Sequence, residues 1–252
     1  MTELLLFLSG LFIGVMNAVA GGGILLGFPV LLSAGLSPLV ANATANIAVL
    51  PGSVSSAYGY RRYIRKVPKI YLFLLLPCFI GAVIGATLLL KTPSTRFEAI
   101  VPWLVAFAVL VFAVQPYLHF RFSKAIKKKY RSITSIVLLC LAIVPLAIYG
   151  GYFGAGFGFI MLAFLGFTKL HDIHQMNGLK NMAASVIAIT SIIVLLPSGL
   201  IDWRVGGIMA VGSGIGGLLG ARLSEKVSSH ALRVVVIIVG IVTAAYLFIQ
   251  ST

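Results

Sequence analysis

The stretch that decides the fold is Ala20-Gly21-Gly22-Gly23, followed by Asn42-Ala43-Thr44-Ala45-Asn46. A similar pattern returns 135 residues later as Ala155-Gly156-Phe157-Gly158, followed by Asn177-Gly178-Leu179-Lys180-Asn181. In both copies glycines interrupt an apolar run, and two asparagines four residues apart lie at the start of the next run. Unpaired backbone is costly in hydrocarbon, so a helix is normally broken there only to line a cavity or a site. We therefore expect the two patches to form one site.

The composition predicts an all-α integral membrane protein that crosses the bilayer several times. Of the 252 residues, 60% are hydrophobic and only 10% are charged, whereas soluble domains carry about 25% charged residues. Apolar runs of about 20 residues, the length that spans a bilayer, recur along the chain and predict about 8 helices. The net charge of +14 does not indicate nucleic-acid binding, because the basic residues lie in short blocks between apolar runs.

The two halves of the chain are related as homologous repeats. Residues 1–118 form the predicted first transmembrane repeat, 119–132 a basic cytoplasmic linker, and 133–252 the second repeat. We expect the first segment of each repeat to be broken or re-entrant at its glycines. Identical residues at the constant offset include Gly21/Gly156, Gly23/Gly158, Asn42/Asn177, Asn46/Asn181, Gly81/Gly216 and Gly85/Gly220.

The distribution of basic residues favours inverted over parallel repeats. The blocks at Arg61–Lys69 and Arg121–Arg131 are separated by two predicted spans, so they share one side of the membrane. With inverted repeats, 15 Lys and Arg residues fall inside and three outside, whereas parallel repeats give 12 and six. Cytoplasmic loops carry the excess of Lys and Arg. The inversion depends on whether each glycine-broken stretch crosses the membrane or re-enters it.

The chain resembles the sulfite exporter TauE/SafE family of membrane permeases. The resemblance covers nearly the whole sequence. It rests on Gly14-x6-Gly21-Gly22-Gly23 with Pro29 downstream, and on Gly35-Leu36-Ser37-Pro38 before Ala41-Asn42-Ala43-Thr44. The second half departs from this pattern, with Phe157 in place of the middle glycine and no proline matching Pro29. The resemblance implies export of sulfite, sulfonates or related small organic anions across a bacterial inner membrane.

The predicted substrate site combines an ammonium, amides and backbone N–H groups. Lys180 lies about one turn into a span, where an ammonium usually faces a cavity or a partner. Each asparagine pair lies on one helical face, and half-helix starts attract anions. The predicted substrate-binding residues are Gly21, Gly22, Gly23, Asn42, Asn46, Gly156, Gly158, Asn177, Lys180 and Asn181.

Each of these features also has a structural interpretation. Lys180 can snorkel to the headgroups, asparagines can join helices, and the glycines can serve close packing. The stripe of Gly212, Gly216 and Gly220 suits either a homodimer or packing within one chain, and we favour the latter.

Other classes of function receive little support from the sequence. Cys78 and Cys140 lie in apolar runs and are interpreted as packing residues. The group His171, Asp172 and His174 is interpreted as a solvated turn, with Asp172 capping the next helix. We predict no metal, no cofactor and no enzymatic activity. The main alternative to an alternating-access exporter is a passive anion channel of the same fold.

Overall fold

The computed structural model describes residues 2–126, 133–166, 168, 170, 172–224 and 229–251. The described residues form eleven α-helices and two 3₁₀ helices, Lys69–Leu74 and Leu196–Ser198, without a strand. The α-helices are α1 Glu3–Val19, α2 Gly23–Ser33, α3 Pro38–Gly59, α4 Arg61–Ile64, α5 Leu75–Lys91, α6 Ser94–Ile126, α7 Ile133–Tyr152, α8 Phe157–Leu165, α9 Ile173–Leu195, α10 Trp203–Arg222 and α11 Ser229–Ser251.

The helices are those of an integral membrane protein. In the described ranges, four helical segments are long and apolar enough to cross a bilayer: Lys69–Lys91, Ser94–Val111, Ile173–Ser198 and Trp203–Arg222. Large apolar side chains point outward, as with Trp103, which is 68% exposed, and such surfaces suit contact with lipid. The all-α membrane class is confirmed, but the expected count of about eight helices is not.

Part of the predicted linker is helical. Residues 119–126 belong to α6, while 127–132 lie outside the described residues. The basic residues of that second portion, and His171 of the predicted turn, are likewise outside them. Asp172 caps α9 as expected, because its carboxylate accepts a hydrogen bond of 2.8 Å from the backbone N–H of His174.

Both predicted glycine breaks are present. The first lies between α1 and α2, where Gly21 adopts a φ of +96°. The second lies between α7 and α8, where Gly154 and Gly156 adopt φ values of +75° and +81°. Only glycine populates this left-handed region without a steric penalty from Cβ. The glycines therefore end one helix and allow the next to begin after three intervening residues at the first break and four at the second.

Helices of the two halves are interleaved. At the offset of 135 residues, α1 corresponds to α7, α3 to α9, α5 to α10, and α6 to α11. Contacts come in equivalent pairs: α1 packs on α10 as α7 packs on α5, α3 on α10 as α9 on α5, and α2 on α11 as α8 on α6. Two similar, intertwined repeats would produce such a set of contacts. The inverted orientation of the repeats stays a prediction.

Glycines allow the α1–α10 and α5–α7 pairs to approach at backbone distance. A Cβ on Gly212 or Gly216 would overlap the carbonyl oxygen of Phe7 or Leu11 on α1. A Cβ on Gly85 would overlap the carbonyl oxygen of Ile148 in the equivalent pair. Helices in lipid associate largely through such close packing. The glycine stripe of α10 therefore serves packing within the chain.

The proline in the middle of α3 does not end the helix, which continues to Gly59. A side chain of α10 bonds to the backbone of α3 next to Pro51. The Ser213 hydroxyl donates to the carbonyl oxygen of Ala48 and accepts from the N–H of Gly52 at 3.2 Å. These two backbone groups pair with each other in an undisturbed helix, so the Ser213 side chain of α10 bonds to both members of one hydrogen-bonded pair of α3.

We expect Ser213→Ala to lower the free energy of unfolding by about 1–3 kcal/mol, because two buried backbone groups of α3 lose their partner. Thermal unfolding of the purified protein measures the change. Thr87→Ala is the control, since the Thr87 hydroxyl donates to the carbonyl oxygen of Val83 within its own helix. Equal unfolding temperatures for Ser213→Ala and wild type would show that Ala48 and Gly52 pair directly when the hydroxyl is removed.

Candidate substrate site

The two glycine breaks contact each other through their backbones. A Cβ built on Gly21 would lie 3.0 Å from the Cα of Gly158, and a Cβ built on Gly158 would lie 2.7 Å from the carbonyl oxygen of Gly21. Side chains at either position would separate the two segments. The paired glycines therefore bring the inner ends of α1, α2, α7 and α8 together at one place, as the repeated sequence pattern predicts.

Lys180 is fully buried next to this crossing, with 0% of its surface exposed. Its ammonium donates to the carbonyl oxygens of Asn17 at 2.7 Å and Ala18 at 3.3 Å, and to Oδ1 of Asn177 at 3.0 Å. Asn17 and Ala18 belong to the last turn of α1, whose carbonyls lack partners within the helix and carry its negative end. Lys180 thus caps a broken helix of the other repeat.

Full burial contradicts the snorkelling interpretation of Lys180. We expected the ammonium to bind the substrate anion directly. In this structure all three of its contacts are with acceptors of the protein. Asn177 helps to orient the ammonium and so acts through Lys180. A cation is nevertheless present in a water-poor interior, where its field is weakly screened.

Asn42 makes the equivalent contact in the other half. Its amide donates to the carbonyl oxygen of Tyr152 at 2.8 Å, and Tyr152 is the last residue of α7. At the offset of 135, Tyr152 corresponds to Asn17. Each repeat therefore caps the broken helix of the other at an equivalent residue, with an amide in one case and an ammonium in the other.

The other two predicted asparagines differ in their surroundings. The amide of Asn181 lies 3.5 Å from the carbonyl oxygen of Ala18, which places Asn181 in the same layer as Lys180. The amide of Asn46 bonds within its own helix, to the carbonyl oxygens of Asn42 and Ala43. Among the described residues, no donor forms a hydrogen bond with the buried Oδ1 atoms of Asn42 and Asn181. Buried amide oxygens of this kind are costly to leave unpaired.

A small cavity lies against the crossing, with a volume of about 30 Å³. Space of this size holds about two water molecules. Its polar lining comes from Asn17, Asn46 and Ser53, and the amide of Asn17 donates to the Ser53 hydroxyl at 2.7 Å. Gly21 and Gly158 also line it. The other described lining residues are apolar, so the cavity is a small, mostly apolar space with a few uncharged polar groups.

Comparison with known proteins shows the family to which the chain belongs. The family model described as "Sulfite exporter TauE/SafE" matches residues 6–247. The chain belongs to this family. A probable membrane transporter protein (ORF9) of a Sinorhizobium species is 31% identical over 98% of this chain and 92% of its own length. A probable membrane transporter protein of Haemophilus influenzae is 30% identical, over 96% and 92% respectively.

The same class appears in a more distant relative. The probable membrane transporter protein YfcA of Escherichia coli K12 is 27% identical over 98% of this chain and 89% of its own length. No solved structure matches the chain. The resemblance inferred from the glycine and asparagine motifs is confirmed, and the TauE/SafE member described here is a membrane transporter.

Of the ten predicted site residues, Gly21, Asn46 and Gly158 line the cavity. Lys180, Asn177 and Asn181 form a layer behind Gly21, and the Cδ of Lys180 lies 3.3 Å from where a Gly21 Cβ would be. Asn42 lies at the second break without lining the cavity. The remaining predicted residues, which shape the starts of α2 and α8, are Gly22, Gly23 and Gly156.

Asn17 and Ser53 line the cavity but are not among the predicted site residues. Asn17 is a polar residue in an otherwise apolar run, one helical turn before Gly21, and this spacing places both on one face. Ser53 follows Pro51-Gly52 and is also fully buried. Both signals were present in the sequence. In the second repeat the equivalent positions are occupied by Tyr152 and Ala188. Neither Asn17 nor Ser53 therefore belongs to the repeated pattern.

Proposed function

We propose that this transporter is a secondary exporter of small anions across the bacterial inner membrane, with sulfite, sulfonates or related organic anions as substrates. The observation that carries the proposal is the cavity at the crossing of the two breaks, which contains amide and hydroxyl groups, with the buried Lys180 side chain packed against Gly21. No carboxylate lines the cavity among the described residues. An anion there would meet amides, a hydroxyl and one nearby positive charge.

The two asparagine side chains and the serine are suited to an oxyanion. Amide and hydroxyl groups donate hydrogen bonds to negatively charged oxygens, and such charge-assisted bonds are stronger than neutral ones. Weak screening in the protein interior lets Lys180 attract the anion without touching it. The cavity of about 30 Å³ must widen to admit a sulfite ion, so binding requires a second conformation.

Alternating access supplies that second conformation. Helices of one repeat pack against helices of the other in equivalent pairs. The two glycine breaks, one from each repeat, contact each other. Repeats that rock against each other around a central site are a common transporter mechanism. A passive channel would need a continuous open pathway instead. Counterflow separates the two, because trans-stimulation requires a carrier that reorients with its substrate.

The test is uptake into proteoliposomes of radiolabelled sulfite, taurine and a panel of inorganic anions, with counterflow from preloaded vesicles. Saturable uptake of sulfite or a sulfonate with trans-stimulation supports the exporter. Saturable or linear uptake without trans-stimulation supports the channel. Absence of any anion flux by folded protein contradicts the substrate class.

Asn46→Ala is expected to reduce transport by about tenfold or more, because one direct hydrogen bond to a charged substrate contributes about 1.5–3 kcal/mol. Its folding stability should change little, since the Asn46 amide bonds, in the described part of the chain, to carbonyl oxygens of its own helix. Asn42→Ala is a matched control on the same helix. It removes the cap of α7 and should lower stability by about 1 kcal/mol while retaining more transport than Asn46→Ala. The reverse order would move the binding site from the cavity to the second break.

A further inference from the structure

A second recess lies away from the cavity, where the end of α3 and the helix α4 meet the end of α10. Its volume is about 480 Å³. Four of its lining residues are cations: Arg61, Arg62, Lys66 and Arg222. In the described part of the chain, none of the four forms an ion pair with a carboxylate. The recess is therefore a basic surface whose charges are not neutralised by described residues of the protein.

One of these cations has a defined orientation. The guanidinium of Arg61 donates to the carbonyl oxygen of Tyr58 at 3.0 Å and lies 4.2 Å from the centre of the Tyr58 ring. Holding a guanidinium in place reduces the entropy that is lost when it binds an anion. Guanidinium groups bind sulfonate, sulfite and phosphate oxygens through paired N–H donors. The recess thus has the chemistry of an oxyanion site.

The inner wall of the recess leads toward the candidate substrate site. Tyr60, 1% exposed, packs in one buried cluster with Ala18, Val19 and Ala221. Ala221 lines the recess, while the carbonyl oxygen of Ala18 accepts from Lys180. Tyr60 therefore belongs to a buried cluster that meets the basic recess at Ala221 and the Lys180 layer at Ala18.

We propose that this recess is a second anion-binding site, a vestibule for a free small anion bearing a sulfite, sulfonate or phosphate group, and that Tyr60 is the barrier between it and the cavity. The role in passage rests on the proposed function, whereas the binding itself does not. Lipid phosphates carry the same chemistry. The free anion is favoured because the recess abuts, at Ala221, the buried cluster that contacts the Lys180 layer.

The binding test is calorimetric titration of the purified protein with sodium sulfite, against sodium chloride at equal ionic strength. Arg62→Gln/Arg222→Gln should weaken sulfite binding by about tenfold or more, because the anion loses charge-assisted hydrogen bonds from two guanidinium groups. Arg65→Gln is the matched control, because Arg65 is an exposed arginine of the same segment that does not line the recess. It should bind sulfite as the wild type does.

The transport test uses the same variants in proteoliposomes. A vestibule raises the local concentration of substrate, so the double variant should show an increased KM, by about tenfold, with the maximal rate nearly unchanged. Tyr60→Ala should instead raise the leak of sulfite down its gradient. A structural role of the arginines would lower the maximal rate and the unfolding temperature together.

Several results would overturn the vestibule. Equal sulfite affinity and equal KM in the double variant and the wild type would do so, while leaving the cavity proposal intact. The vestibule would also be overturned if anionic phospholipid co-purified with the wild type but not with the double variant, and delipidated wild-type protein failed to bind sulfite. Conversely, arginine-dependent sulfite binding in a protein that moves no anion would retain the recess and remove the proposed transport.

Discussion

Replacing Lys180 by methionine is expected to abolish transport and to lower the free energy of unfolding by about 3 kcal/mol. Methionine nearly preserves the volume of the side chain but donates no hydrogen bond. The carbonyl oxygens of Asn17 and Ala18 and the Oδ1 of Asn177 would lose the ammonium that they share. These acceptors are buried, so water cannot readily replace the lost donor. Proteoliposome uptake and thermal unfolding measure the two effects.

Lys91→Met is the control for this substitution, because Lys91 is an exposed lysine at the end of α5. It should change neither stability nor uptake. The two readouts for Lys180→Met also separate two roles. Lost transport with unchanged stability would mean that the ammonium acts on the substrate and not as the cap of α1. Wild-type transport would show that the positive charge is not needed, and the proposed site would fail.

The glycine breaks could be predicted from the sequence because they are local features. A cluster such as Gly21-Gly22-Gly23 in an apolar run has few uses other than ending a helix, and the observed φ of +96° at Gly21 requires glycine. The family could be predicted for the same reason, since its motifs are short and contiguous. The fold class followed from composition and from the length of the apolar runs.

The role of Lys180 could not be read from its neighbours in the sequence. Its acceptors on α1 lie 163 and 162 residues away, and no local pattern indicates which helix end meets which side chain. The repeat did indicate that residues around positions 42–46 and 177–181 would act together. It did not show that each would cap the broken helix of the opposite half, because interleaving is a property of the tertiary packing.

The polar lining of the cavity shows a related limit. Asn46 was found because it recurs as Asn181, yet the two asparagines have different surroundings. Asn46 lines the cavity, and Asn181 lies in the layer behind it. Equivalent residues of two repeats occupy equivalent backbone positions, but their side chains need not line the same cavity. Substrate recognition is therefore expected to be asymmetric, with Asn17 and Ser53 contributed by the first repeat alone.

Gly158→Ala is the second large effect that we expect. The added methyl group would lie 2.7 Å from the carbonyl oxygen and 2.8 Å from the Cα of Gly21. Both are backbone atoms, so no side-chain rotation can relieve the contact, and the two breaks would have to separate. Overpacking of this kind costs about 1–3 kcal/mol and sometimes more. We expect the upper end of that range and at least an approximately tenfold loss of transport.

The matched control is Gly207→Ala on α10, another glycine within a helix, where an added Cβ meets no atom within 4 Å. Alanine is the better helix former by up to about 1 kcal/mol, so this variant should be as stable as the wild type or more so. Opposite signs for the two substitutions would show that contact between the breaks, and not helix propensity, determines the outcome. If Gly158→Ala unfolds normally and transports sulfite at the wild-type rate, the breaks do not need to touch during transport, and the cavity at their crossing is not the substrate site.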